Sequence, residues 1–245
     1  MRTDAIAQIV ILLALAAAML FFVGIPTSAD LRAVWLAGSH FSQGSDGIYT
    51  GSNGVFTMEP PRPWIEQTLR EGTAMPVYPF IYPPLWAWLA SIVTPLAQFK
   101  AAIPVVTGLN LVLLLAMPIL ARRIVQSPMS PTVFLLLSFP FFAFTLPFLL
   151  PLEENQPQIL VSFLILFAVE RTRGDAPILG GAALALAASI KLYPVLFVLF
   201  WMLGGERRAA ISFWIVGASL AGLSVLVAGW PMHLAFLNEV RAISG

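Results

Sequence analysis

Long apolar runs separated by short charged turns dominate the chain. Ile6 to Val23 is the first run, preceded by Arg2. After a long polar gap come Ala101 to Ala121, closed by Arg122-Arg123, and Thr132 to Leu150. Ile159 to Val169 follows, closed by Arg171-Thr172-Arg173. Pro177 to Leu203 is interrupted by Lys191-Leu192-Tyr193-Pro194 and closed by Glu206-Arg207-Arg208. Ile211 to Ala228 is the last run, with Trp230-Pro231 at its interfacial end. A helix needs ~20 apolar residues to cross a ~30 Å hydrocarbon layer. Lipid offers backbone groups no hydrogen-bond partners, so spans that are not closed barrels must be helical. The pattern predicts an all-α integral membrane protein.

The first run has a competing reading as a secretory signal, because Thr27-Ser28-Ala29 resembles a cleavage site. It is longer than the usual 7–15 residue signal core, and the rest of the chain is equally apolar. It is therefore read as a retained first transmembrane helix within residues 1–25.

Residues 26–100 are too polar and too rich in turn residues to span. Gly44-Ser45-Asp46-Gly47 and Gly51-Ser52-Asn53-Gly54 are turn signals. Leu31 to Phe41 carries Leu31, Val34, Trp35, Ala37 and Phe41 at the spacing of an amphipathic surface helix. Pro63 to Glu71 predicts a second short helix. Leu85 to Phe99 is apolar but broken by Pro95. Its about 15 residues reach only ~22 Å, and Trp86 and Trp88 favour an interface. It is read as a juxtamembrane helix.

Charge then sets the topology. If the three arginine pairs share the cytoplasmic side, each must be separated from the next by an even number of crossings. Two runs separate the first pair from the second. One long run separates the second from the third, so it must break in two at Lys191 to Pro194. Seven crossings result, with the N-terminus inside and the C-terminus outside. Asp30, Glu153 to Gln156 and Lys191 all fall on the outer side. The runs flanking Lys191, and Ile159 to Val169, are short, which predicts a sunken cavity open to that side. The expected organisation is a single membrane domain over 1–245: the first helix in 1–25, an outer loop with juxtamembrane helices in 26–100, six further spans in 101–229, and an outer tail in 230–245.

Composition supports a lipid solvent. The chain is 59% hydrophobic and 10% charged, against roughly 25% charged residues in soluble domains. The net charge of +1, without a basic patch interleaved with aromatics, gives nucleic acid no footprint. The absence of cysteine excludes disulfides and a thiol nucleophile. Neither a phosphate-binding GxxxxGK[ST] loop nor a GxSxG nucleophile elbow occurs.

Few polar residues remain to carry chemistry. Asp30, directly after the membrane exit, has the character of a general base for an acceptor hydroxyl. It also suits an N-cap of the following helix. Glu153-Glu154 is a carboxylate pair near membrane depth, where charge is costly without a partner. It fits a divalent cation, sugar hydroxyls, or a solvated turn. Asn155 and Gln156 add amides suited to a hydroxyl-rich ligand. Lys191, flanked by apolar runs, fits an anion such as a lipid phosphate. Alternatively it snorkels, or pairs with Glu153 or Glu154. Tyr193 shares its corner. Tyr82-Pro83-Pro84-Leu85 is a rigid lead-in to a helix, because proline fixes φ. His40 and Tyr49 read as loop packing.

Three stretches together resemble glycosyltransferase family 87 of the GT-C superfamily. They are Asp30-Leu31 with Gly47-Ile48-Tyr49, then Tyr82-Pro83-Pro84-Leu85, then Asn155-Gln156-Pro157-Gln158 with Gly180-Gly181, Lys191-Leu192-Tyr193-Pro194 and Arg207-Arg208. The resemblance implies an inverting transferase in a bacterial plasma membrane that uses a polyprenyl-phosphate sugar, mannose or a similar sugar, and a lipid or glycan acceptor. It implies Asp30 as base, donor- or cation-facing residues at Glu153 to Gln156, donor contacts from Tyr82 and Tyr193, and Lys191 opposite the leaving phosphate. Seven crossings match the shared N-terminal module of the superfamily. Family members carry Gly-Gln before the helix, whereas Asn155 replaces the glycine here. They also carry further C-terminal helices, so the chain is expected to be truncated, minimal or degenerate. A non-catalytic membrane subunit of a larger protein complex is the rival function. A transporter with a Lys191–Glu153/Glu154 ion pair is a third, weakened by the large first loop and the lack of an inverted repeat.

Overall fold

The computed structural model describes residues 2–49, 59–70 and 76–244. The Gly51-Ser52-Asn53-Gly54 turn signal and Glu71 lie outside them. Among the described residues the regular elements are helical: α1 (Arg2–Val23), α2 (Ala29–Ser39), α3 (Arg62–Arg70), α4 (Pro84–Val93), α5 (Phe99–Ile124), α6 (Pro131–Phe144), α7 (Leu146–Glu153), α8 (Gln158–Arg173), α9 (Pro177–Ile190), α10 (Val195–Gly204) and α11 (Arg207–Ser244).

Local chemistry explains the boundaries. Pro84, Pro131 and Pro177 each open a helix, where a fixed φ is an advantage and the missing N–H is no loss. Thr145 is extended between α6 and α7, which meet at 59°. Pro147 cannot donate to the carbonyl four residues back, so the expected run Thr132 to Leu150 is broken into two helices. Gly229 has φ 75 and ψ 158 inside α11, a conformation that glycine adopts without steric cost. The stretch after it, expected as a tail, is helical. His233 clips this bend, with Nδ1 2.8 Å from the Gly229 carbonyl and Nε2 2.8 Å from Ser224 Oγ.

Among the described residues three helices are long and apolar enough to cross a membrane: Asp4–Val23, Phe99–Ile124 and Arg207–Arg241. The bent α6–α7 pair brings the number to four if it is taken as one span. Helices stand at all seven expected positions, and a count of seven crossings takes α8, α9 and α10 as spans. Short α4 ends at Val93, well before Phe99 opens α5. Leu13, Val105, Val112, Phe200, Leu203 and Leu226 are exposed. So much outward apolar surface is unfavourable in water and natural in lipid. The chain is an all-α integral membrane protein.

Two clusters pack the interior. One joins Leu15 and Met19 of α1 to Leu114 and Met117 of α5, Phe142 of α6 and Leu152 of α7. The other joins the first loop, through Leu36, Tyr49, Trp64 and Tyr82, to Leu184, Ile190, Phe213 and Phe236. Small residues let the helices close: a Cβ on Gly181 would lie 2.2 Å from the Ala209 carbonyl. At one end of the bundle Arg123 bridges to Glu170 at 3.6 Å, and Ser212 donates to the Ile178 carbonyl at 2.7 Å. The three arginine pairs therefore gather at one end. The start of α8 and the end of α9 point the other way, toward the first loop.

Candidate active site

The site forms where the start of α2 docks on the turn between α7 and α8. The first N–H groups of a helix have no partners within it. Here the turn supplies them. Ala29 N–H donates to Glu154 Oε2 at 3.0 Å. On either side, Ser28 N–H donates to the Glu153 carbonyl (3.0 Å) and Leu31 N–H to the Glu154 carbonyl (3.3 Å). Helix α2 thus begins at Ala29, two residues before the expected Leu31, and Ser28 occupies the cap position. Asp30 lies in the first turn and is not the cap. The carboxylate that serves the helix end belongs to Glu154, whose negative charge also suits the positive end of the helix dipole.

Asn155 sits beneath this junction, 2% exposed, with φ 48. Its Nδ2 donates to Ser28 Oγ and to Thr107 Oγ1, both at 2.9 Å. Its Oδ1 accepts from Asn110 Nδ2 at 3.0 Å. The amide expected to face a hydroxyl-rich ligand is consumed by the scaffold. The departure from the family pattern also finds a cause. Glycine takes positive φ freely, and asparagine is enriched there among other residues.

The left-handed turn sends the next side chain the other way. Gln156 Nε2 donates to Asp30 Oδ2 at 2.7 Å. Asp30 is half-buried, and burial raises its carboxyl above the ordinary value of 3.8; the Gln156 hydrogen bond opposes this, Glu154 adds to it and Lys191 opposes it. A carboxylate with a raised pKa is a stronger base than one in water.

Lys191 and Tyr82 complete the group. Lys191 caps the end of α9. Its Nζ lies 6.0 Å from the centre of the Tyr82 ring, and it has no ion pair with Glu153 or Glu154 among the described residues. Trp86 fixes the same corner by donating to the Ser189 carbonyl at 2.7 Å. Tyr82 is 2% exposed, and its hydroxyl has no hydrogen-bond partner among the described residues. Burial, reinforced by the Asp30 charge, pushes that hydroxyl far up, so it stays protonated. The Tyr82 carbonyl accepts from Tyr49 at 2.8 Å. His40 contacts Gln67 Oε1 at 2.8 Å. Both pack the loop. Tyr193 is 41% exposed, and its hydroxyl accepts from Gln158 at 2.8 Å.

The sequence reading missed Ser28, Thr107 and Asn110. The last two were within reach. Polar residues one turn apart within an apolar span face the interior and seek partners. As for a cation at Glu153-Glu154, no three His, Cys, Asp or Glu side chains among the described residues gather to hold a metal ion. Glu154 is already committed to the start of α2.

No curated protein and no solved structure matches the chain. A family model, glycosyltransferase family 87, matches residues 80–245. The match takes in Tyr82, Gln156 and Lys191 but begins after Asp30. It covers well over half of the sequence, and the chain belongs to glycosyltransferase family 87.

Proposed function

We propose that this glycosyltransferase moves a sugar, mannose or a related one, from a polyprenyl-phosphate donor to a hydroxyl of a lipid or glycan acceptor, with Asp30 as the base. The observation that carries this reading is the convergence on Asp30. A half-buried carboxylate of the first loop stands beside Gln156, Lys191 and Tyr82 of the family-matched region.

The free Asp30 oxygen takes the proton of the acceptor hydroxyl. The acceptor oxygen attacks the anomeric carbon while the bond from that carbon to the phosphate oxygen breaks. The phosphate leaves with the bonding pair, and the configuration inverts. Lys191, whose charge acts on Asp30, compensates the growing phosphate charge, a role suited to a compact ammonium. Asp30 returns its proton to water. Neither inversion nor the base needs a cation in this scheme. We place the site on the outer face of a bacterial plasma membrane, with a cytoplasmic N-terminus and seven crossings.

The test is transfer from radiolabelled polyprenyl-phosphate mannose to membrane lipid extract, in vesicles holding the full chain. Asp30→Asn should lower the rate by ~10²–10⁴-fold, the usual contribution of general base catalysis. An unchanged rate would remove Asp30 from the mechanism.

A further inference from the structure

We infer that Gln156 acts as a positioning residue: it holds one oxygen of Asp30 so that the other faces the acceptor hydroxyl. The inference rests on Asp30 being the base and adds how that base is aimed.

The argument is geometric. A carboxylate swings about two torsions, and a base must present one oxygen at hydrogen-bond distance. Asp30 Oδ2 receives the Gln156 amide at 2.7 Å, and Oδ1 receives no hydrogen bond from the described residues. Gln156 is itself fixed. Its N–H donates to the Pro151 carbonyl at 2.8 Å, and its carbonyl accepts from Ile159 at 3.2 Å. Its neighbour Asn155 is locked from both sides. The backbone of α2, by contrast, is held by Glu153 and Glu154. Losing the Gln156 amide therefore frees the Asp30 side chain without releasing the helix that carries it.

The groups around Asp30 predict what that loss does. Glu154 faces it from the α7–α8 turn, Lys191 from the α9–α10 corner, and Tyr82 and Tyr78 from the segment before α4. The Gln156 amide favours the charged carboxylate, as Lys191 does, while burial and Glu154 disfavour it. Without the amide Asp30 gains its proton at a higher pH.

The experiment compares the full chain with Gln156→Met, Asp30→Asn and the double variant in vesicles. Gln156→Met should lower kcat/KM for polyprenyl-phosphate mannose by about 10- to 100-fold, the scale of a misplaced group. The acidic limb of its pH profile should also move to higher pH. A second measurement needs no turnover. The difference in thermal stability between chains with and without the Asp30 carboxyl is followed against pH, and its midpoint should rise when both chains also carry Gln156→Met. A lower rate with an unmoved limb and an unmoved midpoint would make Gln156 structural only and overturn the inference. Asp30→Asn at the parent rate would instead overturn the base itself, whatever Gln156 does.

Discussion

Ser28 and Asn155, 127 residues apart in sequence, are joined by a 2.9 Å hydrogen bond, and both have left-handed backbones, with φ 54 and φ 48. Two unusual turns are thus pinned against each other below the catalytic candidates. Each side chain leads into the interior, and the residue after Asn155, Gln156, reaches Asp30.

That pairing separates two roles of Asn155. Asn155→Ala should destabilise by ~2–4 kcal/mol, because buried partners lose hydrogen bonds and the polar side chain that eases a left-handed backbone is removed. Asn155→Gly, which adopts positive φ freely, should recover the backbone share of roughly 1–2 kcal/mol. Unfolding in detergent measures both. Equal losses for the two variants would mean that the positive φ carries no cost.

Asp30 is expected to cost stability at neutral pH. Its carboxyl is raised by burial, with Glu154 adding and Gln156 and Lys191 opposing. A raised carboxyl favours folding fully below its unfolded value and loses that contribution as pH rises through its folded value. Asp30→Asn should therefore melt above the parent at neutral pH, and the gap should close below about pH 4, near the ordinary carboxylate value. Melting curves of both proteins across that range decide it. A variant less stable at neutral pH would show that the ionised carboxylate is held favourably.

Tyr82 carries a buried hydroxyl without a partner among the described residues. An unsatisfied buried polar group costs ~1–3 kcal/mol. Tyr82→Phe should therefore melt at or above the parent temperature, and a clear loss of stability would reveal a partner for the hydroxyl. Sugar transfer by the same variant reports separately whether that hydroxyl meets the donor.

Much of this arrangement was legible in the chain. The arginine pairs, read as marks of one side, placed Asp30, Glu153 to Gln156 and Lys191 together, and the Arg123–Glu170 bridge and the Ser212–Ile178 bond lie at the opposite end. The brevity of Leu85 to Phe99 foretold a short helix, and α4 ends at Val93. Which of four consecutive polar residues would face the site was not legible. Glu154 caps α2, Asn155 turns inward and Gln156 reaches Asp30, although all four suited a ligand by residue type alone. A single φ of 48 at Asn155 divides their directions.

The sequence by itself determined where the helices lie, because lipid leaves the backbone no other way to satisfy its hydrogen bonds and makes each charge a boundary mark. These are local constraints, readable along one dimension. The use of each polar side chain was decided by packing, since a hydrogen bond such as Gln156 to Asp30 joins residues 126 positions apart. Only the close approach of the α7–α8 turn to the start of α2 brings those two within reach. The stretch after the first helix therefore offers a carboxylate, and the fold sets its direction.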